Sequence, residues 1–214
     1  MSCIHLIAPQ GTDAWFSERI GAVTASMFAE CRKTMKSGVN KGEYSQKAKD
    51  YAFKLAVERI SGELFDDPQF DPWQAKRGRD LEPEARLAYE EKQGILVEQT
   101  GLALTEDRLF GSSVDGLVDE DGTIEVKCFL APAKLAPILF ASDIGDCVDQ
   151  IQGGLWISGR KWCDFILYCP ALKCINKHIT VIRIYRDDEY IAELEADILR
   201  FNEYVNQLEK LLRK

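Results

Sequence analysis

The segment Phe110 to Phe129, FGSSVDGLVDEDGTIEVKCF, constrains the fold more than any other part of the chain. Thr123 to Phe129 is rich in β-branched residues, and strand side chains alternate between faces, so Glu125 and Lys127 are expected on one face. DEDG at Asp119 to Gly122 is a turn signal that returns the chain to a preceding strand, Val114–Val118, and a hairpin there brings Asp115 close to Glu125. Two carboxylates at that separation suit Mg²⁺, a hard cation that takes oxygen ligands at about 2.0–2.1 Å. A neighbouring lysine can position or deprotonate a water, or neutralise charge developing on a phosphorane. The residues alone leave a second reading open, a cross-strand Glu/Lys pair on a solvated face.

Three further segments carry polar residues of suitable types. In RGRDLEPEARLAYEEKQ, Arg77 to Gln93, Gly78 and Pro83 mark a helix start and place Glu82 near it. WFSERIGAVTASMFAEC, Trp15 to Cys31, sets Arg19 just before a turn at Gly21 and Ser26 at the start of a helical run. DQIQGGLW, Asp149 to Trp156, holds Gln150 and Gln152 beside Gly153 and Gly154. Each has a plain structural alternative. Arg19 can pair with Glu18 on a helix face, Ser26 can serve as an N-cap, Ser112 and Ser113 can be turn residues, and the two glutamines can be exposed polar positions. Asp115 is harder to explain that way, because it stands between Val114 and Leu117 in a strand expected to be half-buried, and an unpaired buried acid is costly. A metal relieves that cost.

W-x3-R-x4-TAS (Trp15, Arg19, Thr24 to Ser26), then G-x3-EP-x-A (Gly78, Glu82), then SxDG (Ser113, Asp115) with E-x-K (Glu125, Lys127), then Q-x-Q (Gln150, Gln152), together resemble the phage λ exonuclease family. This is the YqaJ-like recombination nuclease branch of the PD-(D/E)xK superfamily. The resemblance runs from about Gly11 to Tyr190 and departs from the family pattern at Val114, a frequent proline, and at Cys147, often an aromatic. It implies a restriction-endonuclease-like core and a 5′-to-3′ double-strand DNA exonuclease that releases mononucleotides. Residue by residue it implies that Asp115 bridges two Mg²⁺ ions (or Mn²⁺), Glu125 and the Val126 carbonyl hold one, Glu82 reaches the other, and Lys127 activates water. Two ions about 3.5–4 Å apart suit an in-line phosphoryl displacement. The resemblance also places Arg19, Ser26, Ser113 and Gln152 around a terminal 5′-phosphate and adds Gln150 to the active site. As partners it implies duplex DNA, a single-strand annealing protein of the Bet or RecT type, and a ring-shaped homotrimer. An endonuclease or a non-catalytic DNA-binding module on the same fold are the alternative readings.

The net charge of −8 at first argues against a nucleic-acid partner. Between Arg32 and Lys49, however, six basic residues, Lys36 and Lys41 among them, accompany a single acid, Glu43. That local basic arm suits duplex phosphates or is simply a solvated loop. Seven cysteines without a C-x2-C pair do not suggest a disulfide framework or a zinc ribbon. Cys163 and Cys169 bound an apolar strand, CDFILYC, and fit an iron–sulfur staple poorly. No apolar run is long enough to span a bilayer and the start lacks a secretory pattern, so a cytoplasmic protein is expected.

The 214 residues, 46% of them hydrophobic and undivided by any linker, are expected to form one nuclease domain, 1–214. Periodicity predicts helices near Asp13–Ile20, Ala25–Lys33, Ser45–Ile60, Leu81–Gln93, Cys147–Ser158 and Asp188–Lys214. Strands are predicted near Ile95–Leu104, Leu109–Val118, Thr123–Phe129, Cys163–Cys169 and His178–Tyr185, giving an α/β fold with a central mixed sheet flanked by helices. The last helix carries an apolar stripe from Ile191 through Leu212 that must be covered, by the sheet or by another subunit.

Overall fold

The computed structural model describes residues 3–6, 10–65 and 72–214. Its strands form two four-stranded sheets. The first has β1 (Cys3–Leu6), β3 (Leu102–Thr105), β4 (Phe110–Ser112) and β2 (Val23–Thr24) in that spatial order. The second has β5 (Gly116–Val118), β6 (Gly122–Lys127), β7 (Trp162–Tyr168) and β8 (Ile179–Tyr185). This second sheet is mixed: β6 runs parallel to β7, and both outer pairs are antiparallel. The single strand expected over Leu109–Val118 is therefore divided. Ser113, Val114 and Asp115 hand the chain from one sheet to the other, and none of the three is a proline or glycine that would have marked the break.

The hairpin β5–β6 is fixed by local chemistry. Asp119 adopts a left-handed φ of 48°, which aspartate tolerates better than most side chains. The Arg160 guanidinium donates to the carbonyls of Asp119 and Gly122 at 2.8 and 2.9 Å, clamping both ends of the turn. A Cβ at Gly122 would lie 2.2 Å from the Trp162 ring, so only glycine fits there.

Of the helices, α1 (Asp13–Glu18), α2 (Phe28–Cys31), α3 (Gln46–Ser61) and α6 (Cys147–Ser158) fall close to expectation, α2 being shortened by a preceding 3-10 turn at Ala25–Met27. α4 differs. It runs Trp73–Gln93, so Gly78 and Pro83 lie inside it and Glu82 sits in its interior, not near its start. Interior glycine and proline cost a helix about 1 and about 3 kcal/mol. The C-terminal half of the helix is anchored by packing: Ala85 and Tyr89 are fully buried, Tyr89 Oη donates to Asp164 at 2.7 Å, and Arg183 grips both Asp164 oxygens at 2.8 Å. The Arg183 guanidinium in turn stacks 3.7 Å from the Trp162 ring centroid. Tyr89 thereby holds α4 over Ile124 and Ile166 on one face of the second sheet. The opposite face, Cys163, Phe165 and Leu167, is covered by α6 and by α5 (Pro132–Ala141), a helix whose two prolines hid it from the sequence pattern.

The apolar stripe of α7 (Asp188–Leu212) is covered from Ile191 to Val205 chiefly by another helix, while Leu211 and Leu212 stay exposed. Ala48, Ala52, Leu55 and Ala56 of α3 pack on Ile191, Leu194, Ile198, Phe201 and Val205, the alanines admitting a close approach. Cys31, Cys128, Cys147, Cys163, Cys169 and Cys174 are free thiols. Among the described residues no helix is long and apolar enough to cross a membrane.

Candidate active site

The break between β4 and β5 opens into a cleft of about 670 Å³, with α4 along one wall and the chain after β6 along another. Asp115 lies at that break. Its N–H donates to the Ile124 carbonyl at 3.1 Å and its Oδ2 accepts from the Val126 N–H at 2.6 Å. The β5–β6 register pairs Gly116 with Ile124, so Asp115, one step further, stands opposite Glu125.

Glu125 is 4% exposed, and its Oε1 accepts from Lys127 Nζ at 2.6 Å and from Gln150 Nε2 at 2.6 Å. Lys127 Nζ also donates to Gln150 Oε1 at 3.0 Å, closing a triangle between β6 and the first turn of α6. Glu82 lines the same cleft from α4, with Arg86 Nη1 3.8 Å behind it.

Three carboxylates thus share a poorly solvated cleft with one ammonium. Burial, then the charges of Glu125 and Glu82, push the Asp115 carboxyl well above its ordinary range, against Lys127 and the Val126 amide. Burial, with Glu125 close by, also raises Glu82, in spite of Arg86 and Lys127. Burial works against the charged form of Lys127, but Glu125 and Asp115 outweigh it and hold the ammonium protonated. The Lys127 amine is therefore a bound cation in this arrangement and not a free base.

The clustering of carboxylates and the all-oxygen donor set, Asp115, Glu125, Glu82 and the adjoining Val126 backbone, fit a hard divalent cation. Among the described residues no three acid, histidine or cysteine side chains converge as they stand. Glu125 is turned onto Lys127 and Gln150, and Asp115 onto the Val126 amide, so internal donors occupy lone pairs that a cation would take.

A second wall of the cleft gathers Arg19, Ser26 and Ser113. Trp15 organises it: its indole N–H donates to Ser113 Oγ at 2.8 Å, and the Arg19 guanidinium lies 4.4 Å from its ring centroid. In the sequence Trp15 stands out only as a motif position. Its i, i+4 spacing to Arg19 is the available signal, since side chains so spaced meet on a helix. Arg19 does not pair with Glu18, whose carboxylate is bonded to Arg108. Ser26 is exposed within the 3-10 turn, its Oγ 3.4 Å from Thr24 Oγ1, and it caps no helix. Arg77, which no motif marks, donates to the Cys128 carbonyl at 2.8 Å and so fixes the chain just after Lys127.

Gln152 does not join this wall. Residues two apart on a helix face in different directions, so with Gln150 aimed at Glu125, Gln152 turns away from the cleft. It is 3% exposed, donating to the Tyr185 carbonyl at 2.9 Å and accepting from the Asp187 N–H at 3.1 Å. Its expected place at a terminal phosphate is corrected to a structural one.

The basic arm is smaller than its composition suggests. Arg32 is held by Asp149 and Asp197, Lys33 by Asp146, Lys47 by Glu30 and Lys49 by Glu43. Lys36 and Lys41 alone of the six are exposed with no ion pair among the described residues.

Comparison with known proteins places these features in context. The family model described as a YqaJ-like viral recombinase domain matches residues 14–161. The alkaline exonuclease LHK-Exo from Laribacter hongkongensis is similar at 30% identity over 94% of this chain and 96% of its own, with a TM-score of 0.77. LHK-Exo in complex with dAMP is similar over the same shares, at 30% identity and a TM-score of 0.79. A phage-related exonuclease from Haemophilus somnus 129PT shares the fold at 18% identity, over 89% of this chain and 96% of its own, with a TM-score of 0.65. No curated protein is a significant match.

Proposed function

The chain belongs to the YqaJ-like viral recombinase domain family, a kinship that supports a DNA exonuclease, and on that premise we propose that it degrades duplex DNA 5′ to 3′ with Mg²⁺, releasing mononucleotides and leaving a 3′ single strand for recombination. The observation that carries this reading is the cleft itself, which sets Asp115, Glu125, Lys127 and Glu82 beside a wall of Arg19, Ser26 and Ser113. The first group suits phosphodiester hydrolysis. The second, a planar guanidinium and hydroxyl donors, suits a terminal phosphate.

Divalent ions held by Asp115, Glu125, the Val126 carbonyl and Glu82 would supply the positive charge that stabilises a phosphorane and acidifies an attacking water. The chain's own residues do the rest. Glu125 and Gln150 fix Lys127 Nζ at the floor, where it neutralises developing charge. Release of that proton, so that Lys127 acts on water, requires the neighbouring carboxylate charge to be compensated first. Trp15 holds Arg19 and Ser113 toward the end of the strand. The dAMP bound by LHK-Exo is a mononucleotide, the size of product that stepwise cutting releases.

The test is digestion of linear 5′-phosphorylated duplex against relaxed circular duplex, with Mg²⁺ and with EDTA. Loss of linear DNA alone, only with metal, and with 5′ nucleotides released first, supports the reading. Cleavage of the circle moves the protein to the endonucleases, and no cleavage of either leaves a binding module. The assembly we propose is a cytoplasmic homotrimeric ring working with a single-strand annealing protein of the Bet or RecT type. A monomeric mass in solution counts against the ring, and failure of such a protein to co-purify counts against the partner.

A further inference from the structure

Gly78 has no structural reason to be glycine. It lies in the interior of α4, where glycine weakens a helix relative to alanine. Neither backbone conformation nor crowding requires it: its φ is not in the left-handed region, and a Cβ built on it would meet no atom within 4 Å. Gly153 of α6 shows the contrast, since a Cβ there would lie 2.4 Å from the Phe28 ring.

The open space over Gly78 faces the cleft. Gln74, Gly78 and Glu82 follow one another at steps of four, which puts them on one stripe of the helix, and all three line the cavity. Gly78 is therefore the low point of the α4 wall, one turn from Glu82. Arg77 and Arg79 flank it and line the same cavity.

We propose that Gly78 is a notch through which the sugar–phosphate backbone of the bound DNA strand passes, resting directly on the α4 main chain. A side chain there would hold the strand away from Asp115, Glu125 and Lys127. Glycine is the residue that lets backbone and ligand approach closely, and adjacent arginines supply charge for the phosphates. This inference rests on the reading of the cleft as the DNA site.

Gly78→Ala and Gly78→Leu test it, since both residues favour helix. Four quantities are measured for each: the thermal midpoint, KM and kcat on 5′-phosphorylated duplex, and duplex affinity by fluorescence anisotropy in EDTA. Gly78→Ala raises the midpoint by about 2–4 °C and weakens duplex binding. Gly78→Leu melts no lower than wild type and binds at least about tenfold more weakly, a side-chain bulk effect. A Leu variant with wild-type affinity and KM overturns the notch while leaving the exonuclease reading intact. A Leu variant that melts well below wild type also overturns it, because the space would then be occupied from within. A wild-type protein that neither binds nor cuts duplex removes the exonuclease reading and the notch with it.

Discussion

The indole N–H of Trp15 donates to Ser113 Oγ at 2.8 Å, joining α1 to the break between the two sheets. The bond consumes an acceptor lone pair of Ser113 and leaves its hydroxyl hydrogen available to an anion in the cleft. The same indole ring carries the Arg19 guanidinium on its face.

Trp15→Phe keeps a ring under Arg19 and deletes the N–H. Losing one hydrogen bond of about 1 kcal/mol lowers the preference for 5′-phosphorylated over 5′-hydroxyl ends roughly fivefold. Arg19→Ala lowers it further. Competition kinetics on the two ends read the ratio, and equal slowing of both ends by either variant places the phosphate elsewhere.

Gln150 and Gln152 should separate by phenotype. Gln152→Ala strands the Tyr185 carbonyl and the Asp187 amide, a loss of about 1–3 kcal/mol, and lowers the thermal midpoint by several degrees with cleavage intact where the protein is folded. Gln150→Ala melts near wild type and loses about tenfold or more in kcat, because Lys127 and Glu125 lose their shared partner. Matching losses of kcat in both variants, at a temperature where both are folded, would return Gln152 to the site.

These two glutamines also mark where the sequence stops being legible. The proximity of Asp115, Glu125 and Lys127 could be read directly, because a period of two and a DEDG turn leave the hairpin little freedom. That Gln150 and Gln152 face apart follows from their spacing on one helix, but which of them meets Glu125 could not be read, since Gln152 is fixed by the Tyr185–Asp187 backbone, which reaches α6 only in the tertiary fold. The start of α4 was hidden because Gly78 and Pro83 are sound local signals of a helix entry, whereas the helix begins at Trp73 and runs through both. The division into two sheets was hidden because Ser113 to Asp115 contains no residue that forbids a continuous strand.

Removing the ammonium tests the catalytic floor. Lys127→Ala is expected to lower kcat by about a hundredfold to a thousandfold, the range seen when a single group stabilising developing charge is lost. Duplex affinity stays within about threefold, since Lys127 faces Glu125 and Gln150 and not the cleft mouth. Single-turnover cleavage and anisotropy separate the two effects, and retained turnover excludes Lys127 from the chemistry.

The arm makes a quantitative prediction about salt. Lys36 and Lys41 are the unpaired cations there, so Lys36→Ala with Lys41→Ala reduces the slope of log affinity against log salt by about 1.8, or 0.9 per phosphate contact. Lys33→Ala leaves the slope unchanged, because Lys33 is already committed to Asp146 at 2.9 Å. Identical slopes for all three proteins would reduce the arm to a solvated loop.

Asp115→Asn isolates the charge that calls for a cation. The carboxamide oxygen can still accept from the Val126 N–H, so shape and hydrogen bonding are retained while one of three neighbouring negative charges is removed. In EDTA the variant should melt at or above wild type, by a few degrees, as sites that trade stability for function do. Saturating Mg²⁺ should raise the wild-type midpoint, since a ligand at a hundred times its Kd stabilises by about 2.7 kcal/mol. The Asn variant should lose that rise and all cleavage, with Mn²⁺ as with Mg²⁺. A lower midpoint in EDTA would mean the Asp115 charge is already compensated within the protein. An undiminished Mg²⁺ shift would exclude Asp115 as a ligand and move the ion toward Glu82.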